Sequence, residues 1–269
     1  SGNAHSAYYF SLDEGTDLML KSLSVFAVCL STLCFVLTSS VLQAEENAKS
    51  YYLIGNSLTW DTVPSLLEGD VQWHVDCGKS LPYIMAHPEM PCVKTSTLWP
   101  QALKEKQYDL ISVQTHYGAT LDEDLATISK WVDMQPNAIF IIHTGWARSK
   151  TRAEEYASTE VTGKMQHSPA YMKALLAALQ KKYPERKFKQ THAIDLLDQV
   201  NTDIKNNKAP FDEITDIYRD AIHMKTDTGR YLMHNAMRHA LGQPRSDKGY
   251  EKVDPQVKQY LNQVLDTLK

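Results

Sequence analysis

Five short apolar runs recur along the second part of the chain, at Tyr51–Ile54, Val71–Val75, Leu110–Val113, Ala138–Ile142 and Phe188–Ile194. Longer stretches of helical spacing separate them. Runs that are apolar at consecutive positions suit strands covered on both faces, and their alternation with helices argues for a parallel sheet. Helices are expected at Ser65–Glu68, Thr97–Lys106, Leu121–Met134 and Pro169–Tyr183, the last carrying Met172, Leu175, Leu176 and Leu179 on one face. The expected architecture is therefore an α/β fold: a three-layer α/β/α sandwich around a central parallel sheet of about five strands. Two connections, Gly78–Ser96 and Ala147–Ser168, are long enough to reach over the sheet edge and contact a ligand.

Upstream lies a different kind of segment. Leu23–Leu42 is uncharged and about as long as a bilayer-spanning helix. From Met19 the order is Lys21, the apolar stretch, then Gln43-Ala44 before Glu45-Glu46, the layout of a secretory signal cut after Ala44. An uncleaved signal anchor is the alternative, and only then is a membrane a partner. The chain thus divides into an upstream extension or expression remnant (1–18), a signal peptide or anchor (19–44) and one domain (45–269). The domain is expected to be exported, to the periplasm or the cell exterior. A net charge of −4 without a basic run excludes the footprint needed to hold nucleic acid. Nothing in the sequence specifies an oligomeric state. Of four cysteines, Cys29 and Cys34 fall in the apolar stretch, leaving Cys77 and Cys92 as a candidate disulfide across a loop with three prolines. Two separate buried thiols are the alternative. Closing that loop contributes about 3 kcal/mol in the chain-entropy model.

In an open parallel sheet, ligands bind beyond the carboxyl ends of the strands. The first run is followed at once by Gly55-Asn56-Ser57-Leu58-Thr59, which places a hydroxyl at a strand-to-helix turn. Ser57 is either a nucleophile or the cap of the following helix. A serine nucleophile needs a base, and the base needs an orienting group. Asp220-Ala221-Ile222-His223 supplies such a pair, with a helix expected after it that ends near Gly242. His74, His116 and His143 also stand near strand ends, which admits a metal-activated water as a rival chemistry. No HxH, HxxxH or carboxylate-rich cluster accompanies them, so neither metal nor cofactor is expected.

GNSLT after the first run and DAIHMKTDTGRYL near the end are similar to the first and last blocks of the SGNH (GDSL-like) hydrolases. The resemblance spans almost all of the domain and implies a flavodoxin-like sheet. It also implies Ser57 as nucleophile, His223 as base and Asp220 as its partner. The oxyanion hole of that family implies the Ser57 amide and, from VDCGKS, the Gly78 amide. A third donor should come from a GxND block, which is absent. Gln114, at the end of the third run, stands in for the missing asparagine, as in a divergent branch of the family. Asn56, His116, His143 and Trp146 lie at the same edge and are expected to contact substrate. With the signal segment, the resemblance leads to the expectation of an exported serine esterase; a small, acetyl-type acyl group on a carbohydrate is the leading reading of its substrate. A glycan-binding protein without catalysis and a lipid or thioester hydrolase are the alternatives.

Overall fold

A computed structural model describes residues 48–268. The expected extension, signal segment, Cys29 and Cys34 lie outside the described residues. Strand β1 (Ser50–Gly55) leads into helix α1 (Ser57–Trp60), a 3-10 turn (Pro64–Leu66) and β2 (Asp70–Val75). Helices α2 (Leu81–Ala86) and α3 (Trp99–Glu105) precede β3 (Leu110–Gln114), and α4 (Leu121–Met134) precedes β4 (Ile139–His143). Then come α5 (Arg152–Ala157), α6 (Pro169–Lys182), β5 (Phe188–Gln190), α7 (Ala193–Lys205), a 3-10 turn (Ile214–Ile217), α8 (Thr228–Leu241) and α9 (Pro255–Leu265). Among the described residues no helix is long and apolar enough to cross a membrane.

All five strands are parallel, in the order β2-β1-β3-β4-β5. That is the flavodoxin-like order, whose reversal point lies between β1 and β3. Successive side chains of a strand point to opposite faces, so each strand feeds two cores. Tyr52, Ile54, Ile111, Val113, Phe140 and Ile142 pack against α2, α3, α4 and α6. Tyr51, Leu53, Leu110 and Ile141 pack against Met237, Ala240 and Leu241 of α8. A third cluster joins α7, α8 and α9 to Leu58 and Trp146, bringing apolar contacts up to the carboxyl edge.

Local chemistry explains the boundaries. Thr120 and Glu123 form a reciprocal capping box at the start of α4, whose first turn is acidic. Ser168 caps α6 ahead of Pro169, and Lys181 and Lys182 face its negative end. Asp227 opens α8, and Gly242, in the left-handed region at φ 73°, closes it. The expected fifth strand was too long: Thr191 and His192 leave the sheet, and Ala193 and Ile194 begin α7. The expected helix at Ser65–Glu68 is a single 3-10 turn. Both long connections contain a short helix, α2 and α5.

Candidate active site

The turn after β1 is built by close approach. A Cβ on Gly55 would lie 2.1 Å from Thr59 Oγ1 and 2.8 Å from Gln114 Cβ, so only glycine fits there. Asn56 is the helix cap: its Oδ1 accepts from the Leu58 amide at 2.9 Å, and its Nδ2 donates to the Lys79 carbonyl at 3.2 Å. With capping done by Asn56, the Ser57 hydroxyl is free for another partner. That partner is His223 Nε2, at 2.9 Å.

On its other side the His223 ring meets Asp220, with Nδ1 at 3.0 Å from Oδ1 and 2.9 Å from Oδ2. Nδ1–H donates to the carboxylate, which leaves Nε2 as the lone pair facing Ser57 Oγ–H. Burial alone would raise the Asp220 pKa. The amides of His223 and Ile222, both donating to Oδ1, and the His223 ring outweigh it and bring the group down to about 2. Asp220 is therefore a carboxylate at neutral pH, although nearly half of its side chain is exposed.

The loop that carries His223 is pinned on every side. Trp146 Nε1 donates to the Ile222 carbonyl at 2.5 Å, the Ser149 amide to the Ala221 carbonyl at 2.9 Å, and the Arg219 amide to the His223 carbonyl at 2.8 Å. Just beyond His223, the Met224 amide donates to Asp61 Oδ2 at 2.8 Å. Asp61 is buried, and its other oxygen holds Arg230 at 2.7 and 2.9 Å. Asp61 sits one residue past α1, so a single carboxylate ties the helix of Ser57 to the loop of His223. From the other side, the His143 ring spans from Thr191 Oγ1 at 2.9 Å to the Leu58 carbonyl of α1 at 3.4 Å.

Several expected roles change on these contacts. Asn56, His143 and Trp146 are fully or almost fully buried and fully occupied in positioning the turn and the loop, so none of them faces a ligand. Gln114 is also shut away: Oε1 accepts from the Asn56 amide at 3.1 Å and from Thr59 Oγ1 at 3.3 Å, while Nε2 donates to the Thr115 carbonyl at 2.6 Å. It braces the turn from beneath rather than offering a free donor above it. Gly78, exposed at φ 69°, lies in the turn beside Lys79, and neither its amide nor that of Ser57 has an acceptor among the described residues. Cys77 and Cys92 are joined, with Cα atoms 5.6 Å apart, and this bond staples the Gly78 turn. His74 does not join the other imidazoles; its Nδ1 accepts from the Trp99 amide. No group of three His, Cys, Asp or Glu residues is placed to hold a metal among the described residues.

Of the four expected contacts His116, at 8% exposed, is the least buried. Its Nδ1 lies 3.3 Å from His167 Nε2. The next residue, Tyr117, lines a cavity of about 480 Å3 together with Arg148, Glu154 and Lys164 among others. Sequence reasoning missed Asp61, Tyr117, Arg148 and His167. Only Asp61, four residues after Ser57, carried a signal, since helical spacing places it on the same side of α1.

The fold and site together define an α/β/α protein of flavodoxin-like strand order with a hydrogen-bonded Ser–His–Asp chain at the carboxyl edge of its sheet. No family model and no curated protein matches the sequence. Among solved structures the chain is similar to a protein from Parabacteroides merdae described as a GDSL-like lipase, at 14% identity over 73% of this chain and 98% of the other, with a TM-score of 0.46. It is similar at 14% identity to a protein from Chitinophaga pinensis described as a lipase, over 72% of this chain and 99% of the other, with a TM-score of 0.41. To a family two carbohydrate esterase from Cellvibrio japonicus the identity is 11%, over 82% of this chain and 62% of the other, with a TM-score of 0.36.

Proposed function

We propose that the protein is an exported serine esterase that removes a small acyl group, acetyl-like in size, from a carbohydrate. The observation that carries this reading is the 2.9 Å contact between Ser57 Oγ and an His223 ring whose tautomer Asp220 fixes. Ser57 Oγ attacks the ester carbonyl carbon as His223 Nε2 takes its proton. The Ser57 and Gly78 amides receive the oxyanion. On collapse the imidazolium returns the proton to the leaving alcohol, and Asp220 stabilises the charge that His223 carries in between. Water then attacks the acyl-Ser57 ester, again deprotonated by His223, and the acid leaves with Ser57 restored.

The absence of an acceptor on both amides supports their role, because a donor already paired within the protein would have to be released first. Export is supported by the Cys77–Cys92 bond, which persists in oxidising compartments. The test is a fluorophosphonate probe together with a panel of acyl esters of rising chain length. Wild type is expected to label and to prefer the shortest acyl groups, while Ser57→Ala does neither. Equal labelling of wild type and Ser57→Ala would refute the nucleophile.

A further inference from the structure

The cavity of about 480 Å3 lined by Tyr117 and Arg148 is far larger than an acetyl group requires and falls in the range of ordinary small-molecule sites. Three features in its wall or next to it are chemically specific. The first is Arg148, which is exposed, stands 5.8 Å from the centre of the Tyr117 ring, and has no carboxylate within 4 Å among the described residues. It immediately precedes Ser149, whose amide bonds the triad loop at Ala221. Its position is thereby tied to that of His223.

The second feature is the treatment of the nearby acids. Glu155 is buried, and its oxygens are taken by the Tyr117 hydroxyl at 2.7 Å and the His167 amide at 2.9 Å. Burial also raises its pKa. Glu154 is exposed to water and shares its wall with Lys164, so neither acid neutralises Arg148 by contact.

The third is a relay of tautomers. The Thr144 carbonyl can only accept, so His167 holds its proton on Nδ1, 2.9 Å away, and presents Nε2 as a lone pair. His116 Nδ1–H fills that lone pair, which leaves His116 Nε2 as a bare acceptor. Burial lowers His116 to about 3 and His167 to about 4, so both rings are neutral at pH 7 and the relay keeps this direction. His116 Nε2 has no protein partner and is not closed off from solvent.

The geometry points to this cavity as the subsite for the alcohol half of the substrate, built for a hydroxylated ring that carries a carboxylate. Arg148 pairs with the carboxylate, the Tyr117 ring packs beside the sugar, and His116 Nε2 accepts a hydroxyl. The cavity walls hold together without a ligand, since the Gly118 amide donates to the Gly163 carbonyl at 3.1 Å and links the two loops that frame them.

The place of this subsite in turnover rests on the esterase reading; its binding preference does not, so the experiment has two arms. In the first, Ser57→Ala is titrated with methyl glucuronoside and methyl glucoside by calorimetry. The glucuronoside is expected to bind about tenfold more tightly, and the preference to vanish in Ser57→Ala/Arg148→Gln. In the second, kcat/KM is compared for the same two glycosides acetylated at one shared hydroxyl. The acid-to-neutral ratio, which is indifferent to the fraction of folded enzyme, should fall about tenfold in Arg148→Gln through KM and recover in part in Arg148→Lys. Equal binding of both glycosides, or a ratio unmoved by Arg148→Gln, overturns the subsite. Should wild type hydrolyse neither ester, the esterase reading fails and the binding arm alone decides the cavity.

Discussion

Five buried imidazoles make the fold acid-labile in a defined window. Burial lowers His74, His143, His167 and His234 to about 4 and His116 to about 3, from an ordinary 6.5. At pH 5 an unfolded chain carries nearly a full proton on each, and the folded chain about a tenth or less. The unfolded state therefore binds more protons, and stability falls as pH drops through the interval from 6.5 to about 4. A tenfold change in proton affinity is worth about 1.4 kcal/mol, so between pH 6.5 and 5 the five rings together cost on the order of 8 kcal/mol. Asp124 works in the opposite direction. Burial holds it at about 7 despite the bond from the Tyr171 hydroxyl, so it is largely protonated in the fold below pH 6.5 and returns about 2 kcal/mol over the same interval. Asp76 and Glu155, also raised by burial, soften the slope further. Asp220 and Asp109 are lowered, and their contribution is lost only below the ordinary carboxylate range, outside this window. The net loss, about 6 kcal/mol before that softening, is a large fraction of a typical domain stability of about 5–15 kcal/mol. Calorimetric melts from pH 7.5 to 4.5 should show the midpoint falling steeply below pH 6.5, with about three protons taken up per molecule unfolded near pH 5. A midpoint flat between pH 6.5 and 5 would refute the reasoning, because it would mean that the rings titrate alike in both states.

Five variants probe the site. Asp61→Asn keeps the shape but removes the charge paired with Arg230, and is expected to lower kcat about tenfold with KM little changed; Asp61→Ala should also cost about 3–5 kcal/mol in chemical unfolding, because it strands a buried amide and a guanidinium. Trp146→Phe removes the indole N–H from the Ile222 carbonyl and should lower kcat severalfold, with a stability loss of about 1 kcal/mol by urea titration. Cys77→Ser with Cys92→Ser should cost about 3 kcal/mol and slow acylation in stopped-flow, since the bond holds the Gly78 turn. Gly55→Ala forces a Cβ against Thr59 and Gln114, and should abolish fluorophosphonate labelling even where circular dichroism shows a folded chain.

The central strands were legible because burial on both faces leaves a short, continuous apolar run: β1, β3 and β4 have few polar positions to confuse the pattern. Phe188–Ile194 failed for the same reason in reverse. β5 pairs with β4 alone, its residues are only partly covered, and the apolar Ala193 and Ile194 that extended the run belong to α7. A strand end and a helix start that share one apolar stretch cannot be separated by composition, because the helix core it feeds lies far along the chain. The site divides along the same line. Ser57, Asp220 and His223 lie in two local patterns; spacing paired Asp220 with His223, and the resemblance of both patterns to one family implied their partnership with Ser57. Gln114 and Asn56 were assigned by position at the strand end, but their roles depend on what the neighbouring strand and turn present: an amide from Asn56, a hydroxyl from Thr59 and a carbonyl from Lys79. Asn56, His143 and Trp146, expected to touch substrate, hold the Ser57 turn and the His223 loop in place, and the residues that line the cavity, Tyr117 and Arg148, came from loops with no periodicity to read. A carboxyl-edge site is read most reliably where one segment supplies both partners of a contact. Asp220 with His223 meets that condition, and Arg148 against Tyr117, 31 residues apart by number, does not.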